Sequence, residues 1–201
     1  MKKIYLVAGA NGSGKTTFAK KLSSNLNLPF VNADEIAKEL DPQNTTGGKM
    51  TAGRVFFANI EAHLNKEESF ILESTLSGKY LLKLIRKAKK IGYNVELVYI
   101  FLENPKVCIE RVKERVLNGG HHVPDEDVIR RFYRSKNNFW HVYKDLVDNW
   151  LIIYNSVLSF KQFCVKTQKG FSVSHNTLFE DFMKDLGGEV AEILRVDAVR
   201  L

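Results

Sequence analysis

The chain has 201 residues, of which 44% are hydrophobic and 26% charged, and its formal net charge at pH 7 is +7. This balance is typical of one globular domain, and the longest apolar stretches are too short to cross a bilayer. Cys108 and Cys164 lie far apart without metal-ligand spacing, which favours reduced thiols over a disulfide or a zinc site. The first predicted strand, residues 2–8, begins directly after Met1, so we expect no signal peptide and a cytoplasmic protein.

Residues 9–16, with the sequence GANGSGKT, fit the nucleotide-binding pattern G-x-x-x-x-G-K-[ST]. A predicted helix over residues 15–25 follows, so the order is strand, tight loop, helix, in which backbone N–H groups point at an anion. We expect Lys15 to reach the outer phosphates and the Thr16 hydroxyl to bind Mg²⁺. The predicted nucleotide-binding residues are Gly9, Ala10, Asn11, Gly12, Ser13, Gly14, Lys15, Thr16 and Thr17.

Two carboxylates stand where buried strands end. Asp34 ends a predicted strand over residues 29–34, and it either faces a ligand or caps the helix predicted at 35–40. Glu73 ends the strand at 69–73, where desolvating a carboxylate is costly without a cation, metal or donor as partner. Glu73 is therefore a candidate site residue rather than a helix cap.

Between these two strands we predict a loop at 41–48 and a long helix over 49–66. Arg54, near the start of that helix, faces either the phosphates or substrate or the solvent, and its spacing alone slightly favours the solvent. A basic helix over 78–91, with a solvated charged face, follows the loop that contains Thr75.

The most strongly β-forming segment is residues 94–102, and Asn104 and Pro105 then predict the start of a helix. Arg111 and Arg115 on that helix project in one direction. After a loop at 119–124, a second helix carries further arginines. The basic residues of this region form a candidate phosphate-handling surface: Arg111, Lys113, Arg115, Arg130, Arg131, Arg134 and Lys136.

Residues 108–136 thus resemble a mobile arginine lid that closes over a triphosphate, although an ordinary helical hairpin with solvated arginines has the same pattern. A basic balance also suits nucleic acid, but no aromatic-rich motif supports that partner. His121 and His122 have no matching Cys or His cluster, which argues against a metal site there.

Residues 148–155 are predicted to form the last sheet strand, with one more edge strand at 160–165 and short helices at 177–186 and 189–196. The alternation of strands and helices predicts an α/β domain with the P-loop NTPase fold, a parallel sheet with helices on both faces. We expect one domain over residues 1–201, in which 160–201 form a C-terminal extension of unassigned role.

Motor and switch NTPases usually add a strand that ends in a magnesium-binding Asp, whereas the strands here end in Glu73 and Glu103. With a small chain and an arginine lid, this pattern favours phosphoryl transfer to a small acceptor.

Several segments together resemble the short, stand-alone members of the zeta toxin family. They are the phosphate loop, the run NADEIA at 32–37, Gly53 with Arg54, ESTLSG at 73–78, residues 111–121 and RRFYRS at 130–135. The resemblance covers residues 3–156. The chain is shorter than the toxins that work with an antitoxin, and its lid sequence Gly-Gly-His-His differs from theirs.

The resemblance implies an ATP- or GTP-dependent kinase that uses Mg²⁺, whose relatives phosphorylate a sugar hydroxyl of UDP-N-acetylglucosamine. It implies that Asp34 orients or deprotonates the acceptor hydroxyl, while Lys15, Arg115 and Arg131 stabilise the charge on the transferred group. Three further residues receive roles at the acceptor or the metal: Arg54 and Thr75 in the acceptor pocket and Glu73 near Mg²⁺ or the substrate. An antitoxin is a possible partner, and a kinase of nucleic-acid ends and a non-catalytic nucleotide-binding module are the alternatives.

Overall fold

A computed structural model describes residues 1–40, 49–155 and 159–186. The predicted loop at 41–48 and the predicted helix at 189–196 lie outside these residues. The strands are β1 (Lys3–Gly9), β2 (Phe30–Val31), β3 (Phe70–Ser74), β4 (Asn94–Phe101), β5 (Asn149–Asn155), β6 (Phe160–Thr167) and β7 (Gly170–Val173). The helices are α1 (Lys15–Leu26), α2 (Ala33–Leu40), α3 (Lys49–Asn65), α4 (Tyr80–Lys90), α5 (Pro105–Leu117), α6 (Asp125–Asn138), α7 (Lys144–Leu146) and α8 (Asn176–Met183). A π-helical turn, Phe139–Tyr143, joins α6 to α7.

The strands form a single seven-stranded sheet in the order β2-β3-β1-β4-β5-β6-β7. The first five strands of this order run parallel, which confirms the predicted α/β fold, whereas β6 and β7 pair antiparallel. The prediction that β5 is the last sheet strand is wrong. The strand predicted at 160–165 is present, but it lies inside the sheet because β7 forms the edge.

Alternation along the central strands builds a core on each face of the sheet. In β1, Ile4 and Leu6 point into the larger core, and Val7 points into a smaller core with Ala19 of α1. This is the period of two that a strand covered on both faces requires. Both cysteines are buried, and burial raises the pKa of the Cys108 thiol to about 12.

The strand order reverses at β1. From β1 the chain runs outward to β2 and β3, then returns to the other side of β1 as β4 and β5. Because all five strands are parallel, their carboxyl ends meet at one edge, and a crevice forms where the order reverses. This edge carries the loops that follow β1, β2 and β3.

One residue of the predicted phosphate-handling surface faces the core instead. The side chain of Lys136 is almost fully buried, and its ammonium donates to the Asp185 carboxylate at 2.9 Å and to the Asp181 carbonyl at 3.4 Å. Burial lowers the pKa of Lys136, while the Asp185 carboxylate opposes this effect. The prediction for Lys136 is therefore wrong, because the segment around α8 covers that side of α6.

Candidate functional site

Glycines allow the phosphate loop after β1 to pack tightly against its neighbours. Gly12 has φ +77°, and a Cβ there would lie 2.3 Å from the backbone oxygen of Cys108 in α5. Gly14, just before α1, has φ +92°. These left-handed conformations strain any residue with a side chain. The loop therefore sits directly on α5 and opens toward the carboxyl edge of the sheet.

A cleft of about 470 Å³ lies at this edge. Six of the predicted nucleotide-binding residues line it: Asn11, Gly12, Gly14, Lys15, Thr16 and Thr17. Gly9, Ala10 and Ser13 are buried and do not line the cleft. Such a loop followed by a helix N-terminus offers an anion several backbone N–H groups and a positive helix end.

Lys15 and Glu73 form the polar centre of the cleft, and the side chains of both are at least nine-tenths buried. The Lys15 ammonium donates to the Ala10 carbonyl at 2.7 Å and lies 3.9 Å from the Glu73 carboxylate. The Thr16 hydroxyl donates to the same Glu73 oxygen at 3.2 Å, and the Asn32 amide donates to the other at 2.6 Å. Glu73 thus has the cation and donor partners that its predicted position requires.

Burial shifts the pKa values of both groups toward their neutral forms. Burial lowers the pKa of Lys15, and the nearby Glu73 and Asp34 carboxylates oppose that shift. Burial also raises the pKa of Glu73, against the effects of the Lys15 ammonium and the Thr16 hydroxyl. A cation beside Glu73 would stabilise the charged form of that carboxylate, and an anion beside Lys15 would stabilise the charged form of that ammonium.

Asp34 lies on the first turn of α2, and its exposed side chain lines the cleft. The cap of this helix is Asn32, whose side-chain oxygen accepts from the backbone N–H groups of Asp34 at 2.7 Å and Glu35 at 3.2 Å. The alternative in which Asp34 is the helix cap is therefore wrong. Its carboxylate is available to a ligand.

Three arginines reach the cleft from the two predicted lid helices: Arg111 and Arg115 of α5 and Arg131 of α6. Arg111 donates to the backbone oxygen of Asn155 at 3.2 Å, and Arg131 approaches the Asn11 side-chain oxygen at 3.4 Å. The side chains of Arg130 and Arg134 are exposed and do not line this cleft. The prediction that Arg111 and Arg115 share one direction is confirmed.

The loop between α5 and α6 folds back onto Arg115. The Gly120 N–H donates to the Arg115 carbonyl at 2.8 Å, and Arg115 in turn donates to the His121 carbonyl at 2.7 Å. A Cβ at Gly120 would lie 2.4 Å from Arg115 Cγ, so glycine permits this contact. Arg115 Nε is buried and makes no hydrogen bond within the described residues, which leaves one donor for a ligand.

A second, smaller cleft of about 220 Å³ adjoins the first and shares Asn11, Ala33, Asp34 and Arg131 with it. Its remaining wall combines α2, α3 and the loop before α6, and includes Ala37, Ala52, Gly53, His121, His122 and Asp127. Asp34 thus stands at the junction of two clefts. Arg54 has an exposed side chain and lines neither of them.

The loop after β3 closes the far side of the larger cleft. Thr75 lines the cleft and contacts the Ser77 hydroxyl at 2.8 Å. Leu76 is buried with φ +52°, a conformation that leucine seldom adopts. Hydrogen bonds from the Leu76 N–H to Ser74 and from the Asn138 amide to the Leu76 carbonyl hold it in place. Tyr80 also lines the cleft, and burial raises its pKa.

Sequence reasoning missed several residues that line this site, among them Asn32, Tyr80 and Asn155. An Asn directly before a helix is a recognised cap signal, so the role of Asn32 at α2 was open to prediction. The contacts of Asn32 with Glu73 and of Asn155 with the phosphate loop span 41 and 142 positions of sequence. No local pattern reveals such partners.

The part of the chain that the structure describes contains no group of three or more His, Cys, Asp or Glu side chains that could hold a metal ion. A Mg²⁺ ion bound through one carboxylate, one hydroxyl, phosphates and water needs no such group. No helix within the described ranges is long and apolar enough to cross a membrane.

A family model described as an AAA domain matches residues 4–135, from the first strand through the two arginine-bearing helices. The chain belongs to the AAA domain family. Two curated relatives align with this AAA domain over most of their own length. An uncharacterized protein of Haemophilus influenzae is 31% identical over 131 residues, 65% of this chain and 92% of the relative. A shikimate kinase of Bacillus cereus is 24% identical over 140 residues, 70% of this chain and 84% of the relative.

Two solved structures share the fold of the AAA domain. The AvrRxo1-ORF1:AvrRxo1-ORF2 complex with ATP has a TM-score of 0.73 and 18% identity, and the match covers 94% of this chain and 66% of that chain. The PezAT chromosomal toxin–antitoxin system of Streptococcus pneumoniae has a TM-score of 0.59 and 17% identity, over 100% of this chain and 86% of that chain. This AAA domain is therefore a P-loop kinase-like domain, and the matches do not single out the zeta toxins among such kinases.

Proposed function

We propose that this protein is a kinase that transfers the terminal phosphoryl group of ATP or GTP to a hydroxyl of a small molecule. The observation that carries the proposal is the position of Asp34 at the junction of the two clefts, with Asn32 serving as the helix cap in its place. A carboxylate between a phosphate-binding loop and a second cleft has the place of a group that orients an acceptor and takes its proton.

The larger cleft is suited to the triphosphate. Lys15 and the three arginines converge on it from two sides, and arginine offers paired donors to phosphate oxygens. The buried, unpartnered Nε of Arg115 is a donor that such an anion would satisfy. Lys15, Arg115 and Arg131 would stabilise the charge on the transferred phosphoryl group, where most of the catalysis in this class of reaction arises.

The donor set at the bottom of the cleft also fits Mg²⁺, because Thr16 and Glu73 bring a hydroxyl and a carboxylate oxygen within 3.2 Å of each other. Thr16 and Glu73 would hold the ion, and Asn32 would keep the Glu73 carboxylate oriented. When bound, Mg²⁺ neutralises part of the phosphate charge.

In the transfer step the acceptor oxygen forms a bond to the terminal phosphorus while the bond from that phosphorus to the bridging oxygen breaks. The nucleoside diphosphate leaves, and the proton of the acceptor hydroxyl passes to the Asp34 carboxylate. In this assignment the exposed Asp34 carboxylate lies next to the acceptor, while Lys15 and the arginines of the cleft bind the phosphates. The helices α5 and α6 would exclude water as a lid over the triphosphate.

The acceptor hydroxyl would lie at Asp34, where the two clefts meet. Thr75 would contact the acceptor from the larger cleft, and Arg54, whose exposed side chain lines neither cleft, would contact a part of the acceptor that extends outside them. A nucleotide sugar such as UDP-N-acetylglucosamine is the first acceptor to test, because the residues resemble the zeta toxins. The fold shared with the PezAT toxin–antitoxin system supports a search for an antitoxin protein as partner. Shikimate belongs in the same test, because one curated relative is a shikimate kinase.

The decisive experiment measures nucleoside diphosphate release with Mg²⁺ and either ATP or GTP across a panel of acceptors. The panel holds UDP-N-acetylglucosamine, other nucleotide sugars, shikimate, gluconate, nucleosides and 5′-hydroxyl oligonucleotides. We expect Asp34→Asn to lose about 10²–10⁴-fold in acceptor-dependent turnover while it still binds nucleotide. Lys15→Ala should lose nucleotide binding itself.

The matched control is Glu35→Gln, one position along α2, where the carboxylate pairs with Lys20 at 2.5 Å and lines neither cleft. This variant should turn over like the wild type. An Asp34→Asn variant that retains full acceptor-dependent turnover would overturn the assigned role. Nucleotide binding without turnover on any acceptor would favour a non-catalytic nucleotide-binding module.

A further inference from the structure

Asn155, the last residue of β5, ties the phosphate loop to the rest of the sheet. Its side-chain amide donates to the backbone oxygen of Ser13 at 2.8 Å, and it also lines the larger cleft. A backbone oxygen only accepts hydrogen bonds, so the atom that faces it is the amide nitrogen. This bond joins positions that are 142 residues apart in the sequence.

The loop is shaped to receive this amide. A Cβ on Gly14 would lie 2.3 Å from the Asn155 amide nitrogen, so a side chain there would displace the amide, whereas the Phe160 ring at 3.8 Å is at an ordinary contact distance. Phe160, at the start of β6, packs edge-on against Phe18 of α1 with ring centroids 5.3 Å apart. The end of β5 and the start of β6 therefore enclose the second half of the loop.

The bond to Ser13 fixes the direction of one peptide group. In a trans peptide the carbonyl and the following N–H point in opposite directions, and the described residues contain no cis peptide. Because Asn155 holds the Ser13 oxygen, the Gly14 N–H points away from the Asn155 amide. Gly14 lines the cleft, so an N–H held in one direction there is available to the phosphates.

We infer that Asn155 is a positioning residue for phosphate binding, because it fixes the Ser13–Gly14 peptide with the Gly14 N–H directed into the cleft. The inference rests on the proposed use of a nucleoside triphosphate. The backbone oxygen of Asn155 also accepts a hydrogen bond from Arg111 at 3.2 Å. Asn155 therefore positions both a backbone donor of the loop and a guanidinium at the cleft. A loop without the side-chain bond is free to turn this peptide and present an oxygen to the anion, which repels it.

The test uses the Asn155→Ala variant of the full chain and inorganic tripolyphosphate, with adenosine as the ligand that lacks phosphates. We expect the affinity for tripolyphosphate to fall about tenfold, which corresponds to about 1.4 kcal/mol, within the usual range for one hydrogen bond. The affinity for adenosine and the thermal unfolding midpoint should stay close to those of the wild type.

A spectroscopic readout follows the peptide itself. The sequence contains two Ser-Gly pairs, Ser13-Gly14 and Ser77-Gly78, so carbonyl-¹³C serine with ¹⁵N glycine selects the amides of Gly14 and Gly78 alone. Tripolyphosphate should shift the Gly14 amide of the wild type strongly and leave Gly78, which does not line the cleft, in place. At saturation the Gly14 shift should be clearly smaller in Asn155→Ala.

The control variant is Asn149→Ala at the opposite end of β5, where the amide donates to Glu96 at 3.3 Å on an exposed surface. It should match the wild type in affinity and in the Gly14 shift. Wild-type behaviour of Asn155→Ala, or an equal loss in Asn149→Ala or for adenosine, would overturn the role of Asn155 and leave the kinase proposal standing. A wild-type protein that binds neither tripolyphosphate nor ATP would overturn both.

Discussion

Glu73 concentrates the electrostatics of the cleft in one side chain. It accepts hydrogen bonds from Thr16 and Asn32, lies beside the Lys15 ammonium, and is buried enough that its pKa is raised. A carboxylate in this position is costly for the free protein, because burial penalises its charge. This cost is offset when a divalent cation binds the same carboxylate oxygens. Glu73 therefore lowers the stability of the free protein but favours the binding of a metal ion.

We therefore predict that Glu73→Gln weakens the use of Mg²⁺ specifically. Glutamine keeps the size and an accepting oxygen, but it lacks the charge that a hard cation requires. The Mg²⁺ concentration that gives half-maximal enhancement of ATP binding should rise about 10–100-fold, as is common when a metal site loses a supporting ligand, and calorimetric titration measures it. Glu103→Gln, at an exposed position just after β4, should behave like the wild type; an equal Mg²⁺ requirement in all three proteins would contradict the assignment.

Local sequence pattern predicted those side chains whose position follows from a motif or a strand end. Lys15 and Thr16 belong to a loop whose spacing sets its geometry, and Asp34 and Glu73 follow buried strands whose ends must meet. Asn155 could not be found in this way, because its role depends on a contact 142 positions away. The predicted role of Arg54 in acceptor binding stays a prediction. Its side chain lines neither cleft, so no contact within the site tests that role.

At the scale of elements, α6 is held from two sides. The middle of the helix carries Arg131 into the cleft, while near its carboxyl end the Lys136 side chain inserts beneath α8. The Lys136 ammonium lies 5.4 Å from the Phe182 ring centroid and 5.6 Å from that of Phe101, besides its bond to Asp185. The sequence predicted a helix where α6 lies. It could not show that the Lys136 side chain points inward, because the segment that covers this side chain, around α8, is distant in the sequence.

We predict that size, not charge, makes Lys136 important for stability. Lys136→Met keeps most of the buried volume, and Asp185 is exposed enough to be solvated alone, so the free energy of unfolding should change by less than about 1 kcal/mol. Lys136→Ala leaves a cavity and should cost about 2–5 kcal/mol. Urea denaturation measures both. Lys113→Ala, from the same basic group but in an exposed pair with Asp125, should cost less than about 1 kcal/mol; equal losses in the Met and Ala variants would show that the charge is what matters.

At the scale of the whole molecule, the fold extends beyond the part that its motifs identify. The family match ends at residue 135 and the resemblance to the zeta toxins at 156, yet Phe163, Phe179 and Phe182 are fully buried in the same core as β1 and β4. Repeating strand–helix units predicted the five parallel strands correctly. The short strand β7 was missed because four residues with a weak alternation give no clear period.

The segment after β5 should therefore be required for a stable domain although it contributes no residue to the phosphate loop. Phe182 of α8 shows this best, because its ring packs against Tyr99, Phe101, Phe139, Trp140 and Phe163. We predict that Phe182→Ala lowers the free energy of unfolding by about 3–5 kcal/mol, a large part of the roughly 5–15 kcal/mol of a whole domain. Leu117→Ala, whose side chain is 87% exposed, should change it by no more than about 0.5 kcal/mol. Urea denaturation measures the free energy of unfolding, and nucleotide affinity measured at low temperature shows whether binding is also affected. If Phe182→Ala lowers the free energy of unfolding by only about 1 kcal/mol or less, residues 159–186 are an appendage rather than part of the core.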